Sequence, residues 1–209
     1  LYTLHGKPIF QYSIEVFCES GLFNELVIVH RDKTQREALE TVVSKISFPD
    51  MPKVTWAIAG DQRMDSVHNG LHAFQDKPEL VFIHDCARPA ISGELLNGLA
   101  VEARKHGASC AAHRIVDTMK RAIGNNPFSL EYVSRTDLWG METPQVFRLS
   151  EICEGYELAM KQGIHITDDT SALRLTGRKV SLVENPKPNP KLTTPADIDW
   201  LEFLLKEEN

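Results

Sequence analysis

The chain has 209 residues, 42% of them apolar and 25% charged, which is the composition of a globular domain with its own core and excludes a disordered or low-complexity chain. Its 29 acidic and 23 basic side chains leave a net charge of −6, and with no dense basic run that balance predicts no nucleic-acid partner. No apolar stretch approaches the ~20 residues of a membrane span, and Cys18, Cys86, Cys110 and Cys153 have neither metal-site nor disulfide spacing, so reduced thiols in a cytoplasmic protein are expected.

In chain order, Gly6-Lys7-Pro8 reads as the start of a helix, because proline suits a first turn where its missing donor is not needed. Ile9, Phe10, Ile14 and Phe17 recur at helical spacing and Gly21 marks the stop. A domain of this type normally begins with a strand, so an upstream strand and loop are expected before Leu1. Residues 25–30 (ELVIVH) read as a buried strand, and Ala38, Leu39, Val42, Val43 and Ile46 as the stripe of a second helix. Residues 53–59 form another strand, and residues 60–66 (GDQRMDS) a loop running into a helix with Val67, Leu71 and Phe74. The strand 80–84 follows, then a helix capped by Ser92 and ended by Gly107, then the strand 108–115. Strand and helix alternate at short intervals, which predicts a parallel sheet covered on both faces.

The rhythm breaks after Ile115. Gly124-Asn125-Asn126-Pro127 is a turn signal, and residues 130–133 return antiparallel to residues 119–123. Residues 116–137 therefore form a protruding β-arm. An isolated two-stranded hairpin is marginal in water, so the arm calls for a second subunit to pack on. Beyond it, Ser150 and Glu151 open a helix, and Thr167-Asp168-Asp169 begins a short one, with Thr167 as the capping residue. Residues 180–183 are a late strand, residues 185–191 (NPKPNPK) a proline-held loop, and Thr194-Pro195 cap the last helix. No linker or repeat splits the chain, so residues 1–209 read as a single domain.

Residues 81–89 (VFIHDCARP) hold the strongest chemical signal. An apolar run of the doubly buried kind ends abruptly in an acid, two small residues, a base and a proline. Ligands of open α/β sheets bind just past the carboxyl ends of the strands. There Asp85 can hold a hard metal ion through oxygen and Arg88 can grip an anionic oxygen, or the two simply close the loop as a salt bridge. Gly60, Asp61, Arg63 and Ser66 share a strand-to-helix loop with free backbone N–H groups, which suits a nucleotide or is a routine capped loop. Thr118, Lys120, Arg121 and Arg135, at the root of the arm, suit a phosphomonoester or are solvated surface charges. Lys191 is the stronger of the remaining candidates, since Pro186, Pro188 and Pro190 reduce the entropy lost in holding it. His84 reads as a structural histidine.

The motifs GDQRMDSVHNGL, VFIHDCARP, VDTMKR, SRTDLW, ETPQVF, ITDDTSAL and KLTTPADI follow one another over one domain. In that order the chain resembles the 2-C-methyl-D-erythritol 4-phosphate cytidylyltransferases of the non-mevalonate isoprenoid pathway, from Gly6 to the last helix. The resemblance implies a Rossmann-like α/β fold and transfer of a cytidylyl group from CTP to the polyol phosphate with release of pyrophosphate, magnesium bridging the triphosphate and bound by Asp85. It implies that Gly60, Asp61 and Ser66 read cytosine while Arg63 orders their loop, and that Asp85, Cys86 and Arg88 line the reaction centre. Thr118 and Arg135 would reach the polyol phosphate across a homodimer. Thr143, Thr167 and Lys191 would complete the phosphate pocket, with Asp85, Arg135 and Lys191 as the catalytic set. The family also has a glycine-rich triphosphate loop before the position of Leu1, and without it no catalysis is expected. Cys86 stands where the family usually has alanine, Ala59 replaces the first of a glycine pair, and Glu142 stands where glutamine is common. Transfer to another polyol phosphate, such as ribitol 5-phosphate, and a non-catalytic nucleotide-binding domain are the alternatives.

Overall fold

The computed structural model describes residues 1–124 and 126–206. It opens on a small hairpin, β1 (Thr3–Leu4) with β2 (Lys7–Pro8). His5 and Gly6 turn it at φ 49° and 78°, the positive pair that a two-residue hairpin turn requires. Pro8 belongs to that hairpin and caps α1 (Ile9–Glu19), so the helix begins one residue later than the first-turn reading of Pro8.

Two sheets follow. β3 (Glu25–His30) and β4 (Lys53–Ile58) pair in parallel, joined by α2 (Lys33–Val43). After α3 (Arg63–His72), the second sheet takes the order β10-β6-β9-β5, built from β5 (Leu80–Ile83), β6 (Ala108–Arg114), β9 (Trp139–Arg148) and β10 (Ser181–Glu184). β6 and β10 are parallel, and β9 is antiparallel to both β5 and β6. The reversed strand β9 thus lies inside an otherwise parallel set, in agreement with a mostly parallel sheet, although the pattern ETPQVF does not read as a strand. Its proline and its buried polar residues hide it, since proline in a central strand removes a ladder donor. The β6–β9 register shifts between Cys110 and Ala112, opposite residues 142–144. That bulge accommodates Pro144 and re-aims Glu142 and Thr143.

β5 shows why the second sheet is covered on both faces. Leu80 and Phe82 pack with Leu95, Leu99 and Ala103 of α4 (Gly93–His106). Val81 and Ile83 pack with Ile152 and Tyr156 of α5 (Leu149–Gln162) and with Ala172 and Leu173 of α6 (Asp169–Arg174). This is the period-two pattern of a strand buried on both sides. Fully buried side chains such as Phe147, Ile152 and Leu173 each contribute about 1.5–3 kcal/mol of transfer free energy. Ser92 accepts from the Leu95 N–H to cap α4, and Gly107 ends it at φ 90°. At the other end of the chain, α7 (Ala196–Leu204) seats Leu201 against Leu4 and Ile9.

The arm is β7 (Met119–Ile123) with β8 (Asn126–Val133), antiparallel and in register Met119 to Val133. The Asn125 part of the turn lies outside the described residues. β3 and β5 are each paired along one edge among the described residues, and both line a single cavity of about 590 Å³. Val27, Val29, Gly70 and Val81 form its walls, and His84, Asp85 and Cys86 stand at its end.

Candidate active site

The site is built where β5 stops. The Arg88 N–H donates to the Asp85 carbonyl at 2.9 Å, turning the chain off the sheet, as Pro89 requires. The Asp85 carboxylate then meets two cations from distant parts of the chain. Lys191 Nζ donates to Asp85 Oδ2 at 2.7 Å, and Arg63 lies 3.5 Å from Oδ1. Burial pulls the Asp85 pKa upward, but the Lys191 hydrogen bond and the charges of Arg63 and Lys191 outweigh it and hold Asp85 below its ordinary value. A carboxylate clamped between two cations is ionised, and the Lys191 ammonium, with three donors, has capacity left for a second anion.

Beneath this cluster, Thr143 and His84 form a pillar. The Asp85 backbone N–H donates to Thr143 Oγ1 at 3.0 Å, and Thr143 lies 3.0 Å from His84 Nδ1. His84 Nε2 is 3.1 Å from both the Arg88 carbonyl and Ser13 Oγ. The carbonyl can only accept, so Nε2 carries the proton and Nδ1 accepts from Thr143. Burial pushes the imidazole down to about 4, against a smaller upward pull from the Asp85 charge. His84 is thus a neutral connector that fixes the turn from below, and the reading of it as a structural histidine holds.

The loop at residues 60–66 is fixed by its own side chains. Ser66 Oγ donates to the Gln62 carbonyl at 3.0 Å and accepts from the Gly60 N–H at 3.2 Å. The Asp65 carboxylate accepts from the Gln62 N–H at 3.0 Å. A Cβ on Gly60 would lie 2.2 Å from the Asp65 Cβ, so glycine is needed for the helix to approach. Asp61 is exposed. Arg63 reaches across to α6 and forms a two-pronged pair with Asp169 at 3.0 and 2.7 Å. Burial alone would lower the Arg63 pKa, but the hydrogen bond and charge of Asp169 raise it on balance. Asp169 is fully buried and also accepts from the Tyr156 hydroxyl. Asp168, not Thr167, is the N-cap of α6: its carboxylate accepts from the Ser171 N–H at 3.2 Å. The helix starts one residue later than Thr167 would set it, because aspartate is the better acceptor for those N–H groups.

Lys191 is delivered by the proline loop, which is tied down at several points. The Asn185 N–H donates to the Ala112 carbonyl and the Leu192 N–H to the Ala87 carbonyl, both at 2.8 Å. Arg88 Nη1 donates to the Asn189 carbonyl at 2.6 Å, so Arg88 grips this loop instead of pairing with Asp85. Asn189 is 97% buried, and its amide donates to Glu142 Oε2 and to the Thr143 carbonyl, each at 3.0 Å. Among the described residues, Arg88 Nε is buried and has no protein partner.

Arg63, Asp85, Arg88, Thr143 and Lys191 are therefore joined in one network, with Gly60 and Ser66 shaping the loop beside it. No hydrogen bond or ion pair of the described residues joins Asp61, Thr118, Arg135 or Thr167 to it, and all four are exposed. Cys86 follows Asp85 at the cavity end and is exposed. Sequence reasoning missed Asp169, read only as an acid suited to a helix start, and Asn189. The one available signal for Asp169 was a second acid directly after a good N-cap. No three His, Cys, Asp or Glu side chains among the described residues form a metal-holding group. Among the described residues Asp85 is the one carboxylate of the cluster that Lys191 touches, and a donor set this small fits a hard divalent cation held through one carboxylate plus substrate phosphates.

The IspD model, 2-C-methyl-D-erythritol 4-phosphate cytidylyltransferase, matches residues 1–207. The chain is 37% identical over 202 residues to the 2-C-methyl-D-erythritol 4-phosphate cytidylyltransferase of Geobacillus thermodenitrificans, covering 97% of this chain and 86% of the relative. It is 34% identical to the chloroplastic enzyme of that name from Oryza sativa, covering 98% and 67%. Its fold matches the crystal structure of 4-diphosphocytidyl-2C-methyl-D-erythritol synthase from Anaerococcus prevotii, with a TM-score of 0.87 at 24% identity over 98% of this chain and 88% of that one. The chain belongs to the 2-C-methyl-D-erythritol 4-phosphate cytidylyltransferase family.

Proposed function

We propose that the Asp85–Lys191 cluster is the place where this cytidylyltransferase joins CTP to 2-C-methyl-D-erythritol 4-phosphate. The observation that carries the reading is the Lys191–Asp85 contact at the carboxyl end of β5, with Arg63 on the other oxygen. A phosphate oxygen of the polyol attacks the α-phosphorus of CTP, the bond from that phosphorus to the β-phosphate bridging oxygen breaks, and pyrophosphate leaves. Little covalent work falls to the protein, which positions two anions and stabilises developing charge. Lys191 and Arg63 supply positive charge, and Arg88 holds the loop that carries Lys191. Gly60 and Asp61 read the cytosine edge on a loop that Ser66 and Arg63 hold in shape, with Cys86 beside the α-phosphate. Magnesium, when bound at Asp85, supplies neutralisation of the triphosphate.

Thr118 and Arg135 belong to the polyol-phosphate side, reached from the arm of a second copy in a homodimer. The arm supports this reading because Val116, Ile123, Leu130 and Tyr132 are largely exposed on it. Thr167 borders the phosphate pocket at the start of α6, and the Thr143 hydroxyl acts through the turn. A cytoplasmic setting suits the four free cysteines. Among the described residues no helix is long and apolar enough to cross a membrane.

The test is pyrophosphate release by the full gene product with CTP, magnesium and either 2-C-methyl-D-erythritol 4-phosphate or ribitol 5-phosphate. Release with the methylerythritol phosphate, lost in Lys191→Ala, is the expected outcome. Release with ribitol 5-phosphate alone would overturn the substrate, and a fully active Lys191→Ala would overturn the site.

A further inference from the structure

Glu142 is 3% exposed, at the bulge of β9, and its carboxylate has three donors. His113 Nδ1 lies 2.7 Å from Oε1, while the side-chain amides of Asn185 and Asn189 each donate to Oε2 at 3.0 Å. His113 comes this close because Gly140 faces it: a Cβ there would lie 2.4 Å from the ring. The two asparagines are the first and fifth residues of the loop that ends in Lys191. Through Asn189 the same network holds the carbonyl that Arg88 grips. One buried carboxylate therefore anchors the segment that carries Lys191 to Asp85.

We infer that Glu142, with His113, is a positioning residue for the transfer reaction, setting the pose of Lys191 and Arg88 through Asn185 and Asn189. The inference rests on the reading of Asp85–Lys191 as the transfer site and adds residues that touch neither substrate. A carboxylate offers acceptors on both oxygens, so Glu142 takes the His113 bond and both asparagine bonds at once. A glutamine has one acceptor and one donor. With its oxygen toward the asparagines its amide N–H faces His113, and with its oxygen toward His113 the amide faces two asparagine donors. Glutamine at 142 would thus mismatch one side of the anchor that holds the loop.

The test compares Glu142→Gln and Asn185→Ala with the parent enzyme in steady-state pyrophosphate release. Each variant should lower kcat about fivefold, roughly the loss of one hydrogen bond, and keep KM for CTP within about twofold, because the loop at residues 60–66 is untouched. Added to Lys191→Ala, Glu142→Gln should cost little further, since it acts through the loop that carries Lys191. Thermal melting separates positioning from folding. An unchanged kcat in both variants, a deficit explained wholly by melting, or a full further loss on top of Lys191→Ala overturns the inference. Lys191→Ala also serves as the reference: an unchanged Glu142→Gln beside an inactive Lys191→Ala overturns the inference alone, and a fully active Lys191→Ala overturns it together with the site.

Discussion

Lys191 Nζ meets Asp85 Oδ2 at 2.7 Å although the two residues stand 106 positions apart. The contact joins a strand end to a proline-stiffened loop, and neither side chain is deeply buried: they are 40% and 20% exposed. An ion pair at that exposure contributes little to stability, about 0–1 kcal/mol. Its value lies in what the two groups do when anions arrive. Asp85→Asn should therefore lower the transfer rate about 10²- to 10³-fold, the usual scale for losing one charge-stabilising group, and shift the melting temperature by only a few degrees. Steady-state pyrophosphate release and a circular-dichroism melt check both halves. An unchanged rate would remove Asp85 from the chemistry.

The other partner of Asp85, Arg63, is held mainly by Asp169. Asp169 is fully buried and binds both prongs of the guanidinium, while Arg63 keeps 37% of its side chain in solvent. Removing one partner of a fully buried pair costs about 3–5 kcal/mol, and the exposure of Arg63 discounts that to about 2 kcal/mol. Asp169→Asn should then lower the melting temperature by about 4–8 °C in a domain of this size. It should also weaken CTP binding, because Arg63 loses the anchor that keeps it over Asp85. Calorimetric melting and nucleotide titration report the two effects separately, and a stable variant with normal CTP affinity would mean that Arg63 is held well enough without the charge.

The extent to which the sequence reveals this site follows from chain distance. Asp85 is legible because an apolar run breaks into charge at a strand end. Lys191 is legible because three prolines hold it. What is not legible is their contact, since sequence spacing carries no information on pairs a hundred residues apart. The same limit explains the salt bridge that VFIHDCARP suggests between Asp85 and Arg88. Local spacing favours that pair, and tertiary structure gives Asp85 to Lys191 and Arg88 to a loop carbonyl. β9 stays hidden for a different reason. Its Glu142, Thr143 and Gln145 are buried polar residues satisfied by Asn189, His84 and the Thr170 N–H, and a strand with such an interior lacks apolar periodicity.

The arm offers a prediction of assembly. Leu130 and Tyr132 are 55% and 65% exposed on β8, more apolar surface than a short hairpin leaves to water without a partner. Leu130→Glu should convert a dimer to a monomer, as measured by light scattering on a sizing column. If the second copy completes the polyol-phosphate site, that monomer should also lose activity. Arg135→Ala should leave the dimer intact and raise KM for the polyol phosphate about tenfold or more, the scale of one charge-assisted hydrogen bond, while CTP affinity changes little. Equal losses for both ligands would place Arg135 elsewhere in the mechanism.

The neutral His84 gives the site a pH signature that is independent of catalysis. Its ordinary value of about 6.5 falls to about 4 in the folded chain, where burial disfavours the charged ring. The unfolded chain therefore takes up a proton, below about pH 6.5, that the folded chain refuses until about pH 4. Stability from this group is complete above the unfolded value, declines as pH falls from about 6.5 toward 4, and does not change further below that. A shift of this size corresponds to about 3 kcal/mol when integrated over the whole window. His84→Gln keeps an acceptor and a donor in the pillar but does not titrate. In metal-free buffer, urea unfolding between pH 7.5 and 4.5 should show the parent losing roughly 2–3 kcal/mol more than the variant over that interval. Parallel curves for the two proteins would mean that His84 is protonated in the fold, and the Thr143–His84–Arg88 chain of hydrogen bonds would then have to be reassigned.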